Sequence, residues 1–141
     1  MKHLFLLSLA LMLAVAGFSA DAKSAKKEAK ATVNPKVEVY YFHFTRRCPT
    51  CLAVESESKK AVEALYPAQV KSGQVTFTSI NLDDASSKAA ASKCKAEGQS
   101  LLVVSGSKRA DLTSKGFMYA KSNPEKLKVA LGKAIEEVLK K

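Results

Sequence analysis

Two cysteines separated by two residues, Cys48 and Cys51, follow directly on the most strand-like segment of the chain, residues 37–44. That segment is dense in β-branched and aromatic residues, which favour strands. It lacks a clean alternation of apolar and polar residues, which predicts a strand covered on both faces of its sheet. Pro49 then suits the first turn of a helix, because the N–H that proline lacks would have no helical partner there. The pattern predicts a strand, a short loop and a helix that begins with the cysteine pair.

The spacing of Cys48 and Cys51 allows both a disulfide and a dithiol. Residues three apart on a helical turn lie within the Cα separation that a disulfide tolerates. Only a thiolate attacks another sulfur, and the N–H groups and dipole at the helix N-terminus favour a negative charge on Cys48. Neighbouring residues are expected to tune the pKa of the Cys48 thiol downwards, and these are Arg46, Arg47, Pro49 and Thr50. Cys51, one turn deeper, is better placed to resolve a mixed disulfide.

Two other uses of this cysteine pair remain open. A zinc site needs four ligands, usually in two pairs, and only His43 and Cys94 remain beyond residue 22 as further histidine or cysteine candidates. A purely structural disulfide is the second alternative, although such a small loop gains little stability from cross-linking. The chain has no glycine-rich phosphate loop, no Ser-His-Asp arrangement and no dinucleotide fingerprint. We therefore expect no metal and no cofactor other than a redox-active disulfide.

The third cysteine, Cys94, needs a separate explanation because the number of cysteines is odd. It lies on a predicted Ala-rich helix over residues 86–97, where a lone cysteine is expected to be a small core residue. The alternative is a third thiolate near the pair, suited to a soft metal or to arsenite. His43 is expected to be packed and hydrogen-bonded, and Glu55 and Glu57 to be solvated.

The remaining sequence alternates between strand and helix patterns. The predicted elements are a helix from residue 49 to residue 66, a strand at 75–82, a helix at 86–97, a strand at 101–104, a returning strand at 110–114 and a last helix from Pro124. Asn123 can cap the last helix, whose apolar residues recur at a spacing of three and four. Strands joined through helices pair in parallel, whereas the final hairpin is antiparallel. The order β-α-β-α-β-β-α predicts a three-layer α/β/α fold around a mixed sheet of about four strands.

The N-terminus has the organisation of a secretory signal peptide. A short basic start precedes an apolar run at residues 4–16, and Ala20-Asp21-Ala22 has the form of a cleavage site. The run is too short to span a membrane. We expect cleavage near Ala22 and a periplasmic or secreted location, with residues 1–22 as the signal peptide, residues 23–36 as a Lys- and Ala-rich linker and residues 37–141 as the domain. An uncleaved anchor is the alternative.

The charge balance constrains the partners. The chain carries 23 Lys and Arg against 13 Asp and Glu, a formal net charge of +10. Such a balance favours acidic partners or anionic surfaces. The lysines are scattered, however, and do not alternate with aromatic residues as in a base-stacking surface. We expect no nucleic-acid partner and no membrane span after signal removal. The expected form is a monomer whose partner is a protein thiol or disulfide.

The strand, the Cys48-Pro49-Thr50-Cys51 turn and the order of the later elements together resemble the thioredoxin superfamily over about residues 36–140. Two stretches are also similar to a bacterial thioredoxin-like family named for a nitrophenyl-compound nitroreductase subunit, some members of which lie near arsenic-resistance genes. These stretches are residues 39–48 and residues 119–126. The resemblance implies a thioredoxin-like fold and a redox accessory role, with Cys48 as the attacking thiol and Cys51 as the resolving thiol.

Three positions depart from ordinary thioredoxins. Arg47 stands where a tryptophan usually precedes the first cysteine, and Phe42 stands where a buried acid usually helps to deprotonate the resolving thiol. The cis-proline that faces the cysteine pair is missing, and Gln99 and Ser100 occupy its expected place. In the superfamily that proline shapes the substrate-binding backbone. Its replacement leaves room for a metal ion or for a different partner.

The sequence therefore predicts an exported thiol–disulfide redox protein that acts as a thioredoxin-like oxidoreductase or as a redox accessory subunit. The alternative is a binding module for a soft metal or metalloid, such as arsenite or copper, or a non-catalytic subunit of a nitroreductase-type complex. In that alternative the thiolates coordinate a ligand and do not turn over.

Overall fold

The computed structural model describes residues 36–140. The predicted signal peptide, the predicted linker apart from Lys36, and Lys141 lie outside the described residues. Within the described range the elements are β1 (Val37–His43), α1 (Pro49–Leu65), α2 (Pro67–Ser72), β2 (Val75–Asn81), α3 (Ser87–Cys94), β3 (Ser100–Ser105), β4 (Lys108–Asp111), α4 (Thr113–Tyr119) and α5 (Pro124–Leu139). No helix among them is long and apolar enough to cross a membrane.

The four strands form one mixed sheet in the order β2-β1-β3-β4. β1 pairs in parallel with β2 and antiparallel with β3, and β3 pairs antiparallel with β4. The turn between β3 and β4 contains Gly106 at a φ of 59°, in the left-handed region that glycine tolerates. These pairings confirm the predicted α/β class and its thioredoxin-like arrangement.

The sheet separates two apolar cores, and β1 contributes to both. Val39 and Tyr41 point into the first core, which α1, α4 and α5 cover. Tyr40 and Phe42 point into the second core, which α3 closes with Cys94. Successive side chains of a strand point to opposite faces, so the apolar run of β1 is explained by a strand that is buried on both sides. The predicted three layers are therefore present.

The two long helices follow their predicted patterns closely. α5 begins at Pro124, and the Asn123 side chain accepts a hydrogen bond from the Lys126 N–H as its cap. Its buried residues are Leu127, Leu131, Ala134, Ile135 and Val138. On α1 the buried stripe includes Val54 and Val62. Leu52, which follows Cys51 on the same helix, is 51% exposed.

Short elements account for the other differences. The returning strand lies at Lys108–Asp111 and not at residues 110–114, because the Asp111 carboxylate accepts the Thr113 N–H and starts helix α4 there. α3 ends at Cys94 and not at residue 97 as predicted. Lys95 follows it with a left-handed φ of 51°, which terminates the helix three residues before Gly98. α1 ends at Leu65, one residue before its predicted end. Pro67 then serves as the first residue of α2.

Candidate functional site

The cysteine pair forms the first turn of α1. Cys48 and Cys51 are joined by a disulfide with a Cα separation of 5.0 Å. Cys48 is the N-cap residue of the helix, Pro49 follows in the first turn, and the Cys51 N–H donates to Cys48 Sγ at 3.0 Å. The sulfur thus takes the place of the serine or aspartate oxygen that commonly caps a helix. Negative charge on this atom would be stabilised by the same N–H and by the helix dipole.

The two cysteines differ in their exposure to solvent. Cys48 is exposed, whereas only 6% of Cys51 is exposed. Pro49 is also exposed and Thr50 is half-buried. A partner sulfur can therefore approach Cys48 in this conformation, while the surrounding side chains shield Cys51. This order of access is the one required of an attacking and a resolving cysteine.

The loop that leads into the Cys48–Cys51 turn is fixed to the neighbouring strand β2. The Thr45 N–H donates to Asp83 Oδ2 at 2.7 Å, and Asn81 Nδ2 donates to Thr45 Oγ1 at 2.9 Å. The Leu82 N–H also donates to the His43 carbonyl oxygen at 2.7 Å. Hydrogen bonds from Thr45 lower the pKa of the exposed Asp83 carboxyl. The end of β2 thus positions the loop that carries Cys48.

Arg47, the residue before Cys48, belongs to a group of four side chains that we call the Arg47 cluster: Arg47, Glu55, Tyr41 and Gln99. The Arg47 guanidinium donates to the Glu55 carboxylate in an ion pair. Its central carbon lies 5.8 Å from the centroid of the Tyr41 ring, a cation–π distance. Gln99 Nε2 donates to the Tyr41 hydroxyl at 2.7 Å. The cluster connects the residue before Cys48 to the loop that precedes β3.

Burial and charge act in opposite directions on the titratable groups of the Arg47 cluster. Burial raises the pKa of the Tyr41 hydroxyl, although the hydrogen bond from Gln99 and the charge of Arg47 oppose this. Burial also acts to raise the pKa of the Glu55 carboxyl, but the nearby Ser79 hydroxyl, together with the hydrogen bond and positive charge of Arg47, outweighs it, so that the net pKa is lowered. Glu55 is therefore held ionised, and the prediction that it is merely solvated was wrong.

Sequence reasoning missed Tyr41 and Glu55 as parts of the site. The available signal for Glu55 was its position four residues after Cys51, on the same face of α1. Arg46, by contrast, was predicted to act beside Cys48. It is exposed and makes no ion pair within residues 36–140.

Ser100 opens β3 directly opposite Phe42 of β1. It is 7% exposed, and its hydroxyl donates to the Gly98 carbonyl oxygen at 3.0 Å. Phe42 is fully buried. Ser100 therefore lies next to the end of β1 that precedes the Cys48–Cys51 turn.

Cys94 lies on the other side of the sheet from α1. It is free, 1% exposed and packed in the second core, and burial raises the pKa of its thiol. The prediction of a core role for Cys94 is confirmed, and the three-thiolate alternative was wrong. His43 is also packed as predicted, with its ring stacked on Tyr41 and Nδ1 2.9 Å from the Phe44 carbonyl oxygen. Within residues 36–140, no three His, Cys, Asp or Glu side chains are grouped closely enough to hold a metal ion.

Comparisons with known proteins add little to this description. No family model matches the sequence, and no curated protein matches it. Among solved structures, a chain titled "Structure of a malarial protein" is 20% identical with a TM-score of 0.42, over 70% of this chain and 94% of that chain. A likeness of this size carries no functional argument. What the structure shows is a disulfide at C-x-x-C spacing between one exposed and one buried cysteine.

Proposed function

We propose that this protein is an exported thiol–disulfide redox protein of the thioredoxin superfamily, with Cys48 as the attacking thiol and Cys51 as the resolving thiol. The observation that carries the proposal is the exposed residue Cys48, whose sulfur caps α1 and accepts the Cys51 N–H. A purely structural disulfide has no need for an accessible sulfur at a helix N-terminus. The thioredoxin-like sheet supports the same conclusion.

The chemistry is an exchange of two electrons between two dithiol–disulfide pairs. In the reduced protein, the Cys48 thiolate attacks one sulfur of a partner disulfide, and the other partner sulfur leaves as a thiolate. The Cys51 thiolate then attacks Cys48 Sγ, and the second partner sulfur leaves with the electron pair of the mixed disulfide. The protein ends as the Cys48–Cys51 disulfide and the partner as a dithiol. The reverse sequence of steps oxidises a partner dithiol.

The partner we expect is another protein. The resemblance to the nitroreductase-subunit family supports an accessory redox role for this chain. Nitro-group reduction itself requires a cofactor such as a flavin or a nicotinamide, and the sequence has no fingerprint for either. We therefore propose electron transfer to or from a partner protein through the cysteine pair.

Glutathione disulfide can test the order of attack. With the reduced protein, we expect Cys51→Ser to stop at a stable mixed disulfide with glutathione, because the second thiol is missing. Wild type should release two glutathione molecules and close its own disulfide. Cys48→Ser should react at least about tenfold more slowly, because the buried Cys51 is poorly accessible and poorly ionised. Intact-mass spectrometry of acid-quenched samples measures the reaction of all three proteins.

Cys94→Ala in each background removes the remaining thiol and serves as the control, since Cys94 is buried away from the pair. Equal reaction of Cys48 and Cys51 variants would contradict the assigned roles. If the reduced protein does not react with glutathione disulfide but binds arsenite, Cu(I) or Zn(II) stoichiometrically, the metal-binding alternative replaces the redox proposal.

A further inference from the structure

Cys48, Cys51 and Glu55 lie along one side of α1, because residues three, four and seven positions apart share a helix face. Glu55 is four residues beyond Cys51, so their Cβ atoms are about 6 Å apart. The Arg47 side chain starts before the helix and reaches the Glu55 carboxylate. Since Glu55 lies one turn beyond Cys51, this ion pair brings the guanidinium towards the turn that contains Cys51.

The charges beside Cys51 matter for the second step of the exchange. Cys51 must ionise before it can attack the mixed disulfide, yet burial disfavours a thiolate. The guanidinium of Arg47 favours that thiolate, whereas the carboxylate of Glu55 opposes it. Both side chains are largely shielded, with 19% and 27% of their surfaces exposed. Their influence is consequently less screened than that of a surface pair.

The Arg47 side chain is held from two further directions. The Tyr41 ring lies under its guanidinium, and Gln99 anchors the Tyr41 hydroxyl from the neighbouring loop. The titratable groups beside Arg47 and Glu55 include the Tyr41 hydroxyl and His43, whose charge acts on Glu55. The position of the positive charge is thus fixed by contacts that do not depend on the sulfur.

We infer that Arg47 and Glu55 are positioning residues that set the charge on Cys51, with Arg47 promoting its ionisation and Glu55 limiting it. This inference rests on the proposed function. In the step concerned, the Cys51 thiol loses its proton to solvent, its sulfur bonds to Cys48 Sγ, and the bond from Cys48 to the partner sulfur breaks. Arg47 and Glu55 take no part in bond formation and change only the fraction of Cys51 that is ionised.

Two variants that each remove one charge of the ion pair, of opposite sign, provide the test. Arg47→Gln leaves the Glu55 carboxylate without its partner, so we expect release of the second glutathione to slow by about tenfold at pH 7. Glu55→Gln leaves the Arg47 charge uncompensated, so the same step should become several times faster. The double variant should return close to wild type, and Arg47→Lys should partly restore the rate. Quenched-flow mass spectrometry separates this step from the first attack.

The reduction potential, measured in glutathione buffers, supplies the second readout. At a pH high enough to ionise Cys51, the potential should fall in Arg47→Gln and rise in Glu55→Gln, because a stabilised thiolate favours the reduced form. The Lys60–Glu57 ion pair on the same helix, in which the lysine is exposed, offers the control, and Lys60→Gln and Glu57→Gln should change neither quantity.

The outcomes separate this inference from the proposed function. If Arg47→Gln and Glu55→Gln shift the rate in the same direction, or not at all, while wild type still exchanges with glutathione, the electrostatic inference is wrong and the redox function stands. If wild type forms no mixed disulfide, the proposed function fails first.

Discussion

The reactivity of a thiol depends on its surroundings. Two cysteines of this protein lie in contrasting surroundings, one at the surface and one in an apolar core. Cys48 caps a helix at the surface, whereas Cys94 is 1% exposed in an apolar core, where burial raises the pKa of its thiol. Ionisation and access therefore both favour reaction at Cys48. After reduction, iodoacetamide at neutral pH should modify Cys48 at least about 100-fold faster than Cys94. Peptide mapping at successive times checks this ratio.

Denaturation supplies the control for this labelling experiment. In urea both thiols should react at similar rates, because the environments that distinguish them are gone. Comparable labelling of Cys94 in the folded protein would mean that the second core opens readily and that Cys94 is not a static core residue.

At the level of single residues, the role of a side chain could be predicted from the sequence where that role depends on neighbouring positions in the chain. The capping role of Cys48 follows from its place before Pro49, and the burial of Cys94 follows from its apolar neighbours. The ion pair of Arg47 with Glu55 could not be predicted in this way. A long guanidinium side chain has several possible partners, and the choice depends on the Tyr41 ring, which β1 brings underneath it.

Two helical glycines show how packing decides the effect of the same substitution. A Cβ at Gly132 on α5 would make ordinary contact with Leu65 at 3.5 Å, so Gly132→Ala should stabilise the fold by about 0.5–1 kcal/mol through helix propensity. A Cβ at Gly116 on α4 would lie 3.2 Å from Val54 and 3.3 Å from Leu101, both fully buried. Overpacking there should outweigh the gain in helix propensity, so Gly116→Ala should lower the free energy of unfolding by about 1 kcal/mol.

Urea unfolding of the oxidised protein compares the two variants under one condition. The opposite signs are the essential result, because a general preference of alanine for helices would stabilise both. Stabilisation by Gly116→Ala would show that α4 can shift away from α1 without cost.

The same glycine explains why α4 could not be predicted. A seven-residue segment with a central Gly has low helix propensity, and its helical form depends on the close approach of Gly116 to α1 and β3. By contrast, α5 combines a cap, an N-terminal proline and a long apolar stripe, so local and tertiary signals agree. Elements that fold through local signals were predictable, and those that exist because of tertiary contacts were not.

For the molecule as a whole, folding and oxidation are linked in one thermodynamic cycle. If the fold stabilises the Cys48 thiolate, the same free energy must also stabilise the reduced fold against unfolding. A pKa that is lower in the folded than in the unfolded state gives stability that is present above the unfolded value, about 8.5 for cysteine, and lost as the pH falls through the folded value. Cys94 has the opposite sign, because its raised pKa costs stability above pH 8.5 or so. Its effect is common to both redox forms and cancels in their difference.

The stability of the reduced protein should therefore rise relative to that of the oxidised protein between pH 5 and about pH 8.5, by about 1.4 kcal/mol for each unit by which the fold lowers the Cys48 pKa. Urea unfolding with and without a phosphine reductant across this range measures the difference directly. Reduced Cys48→Ser is the matched control, since it lacks the ionising sulfur at the helix cap and should show no such rise. Parallel pH profiles for the oxidised and reduced wild type would mean that the helix N-terminus does not favour a thiolate at Cys48. The exchange chemistry would then have to draw its reactivity from elsewhere in the fold.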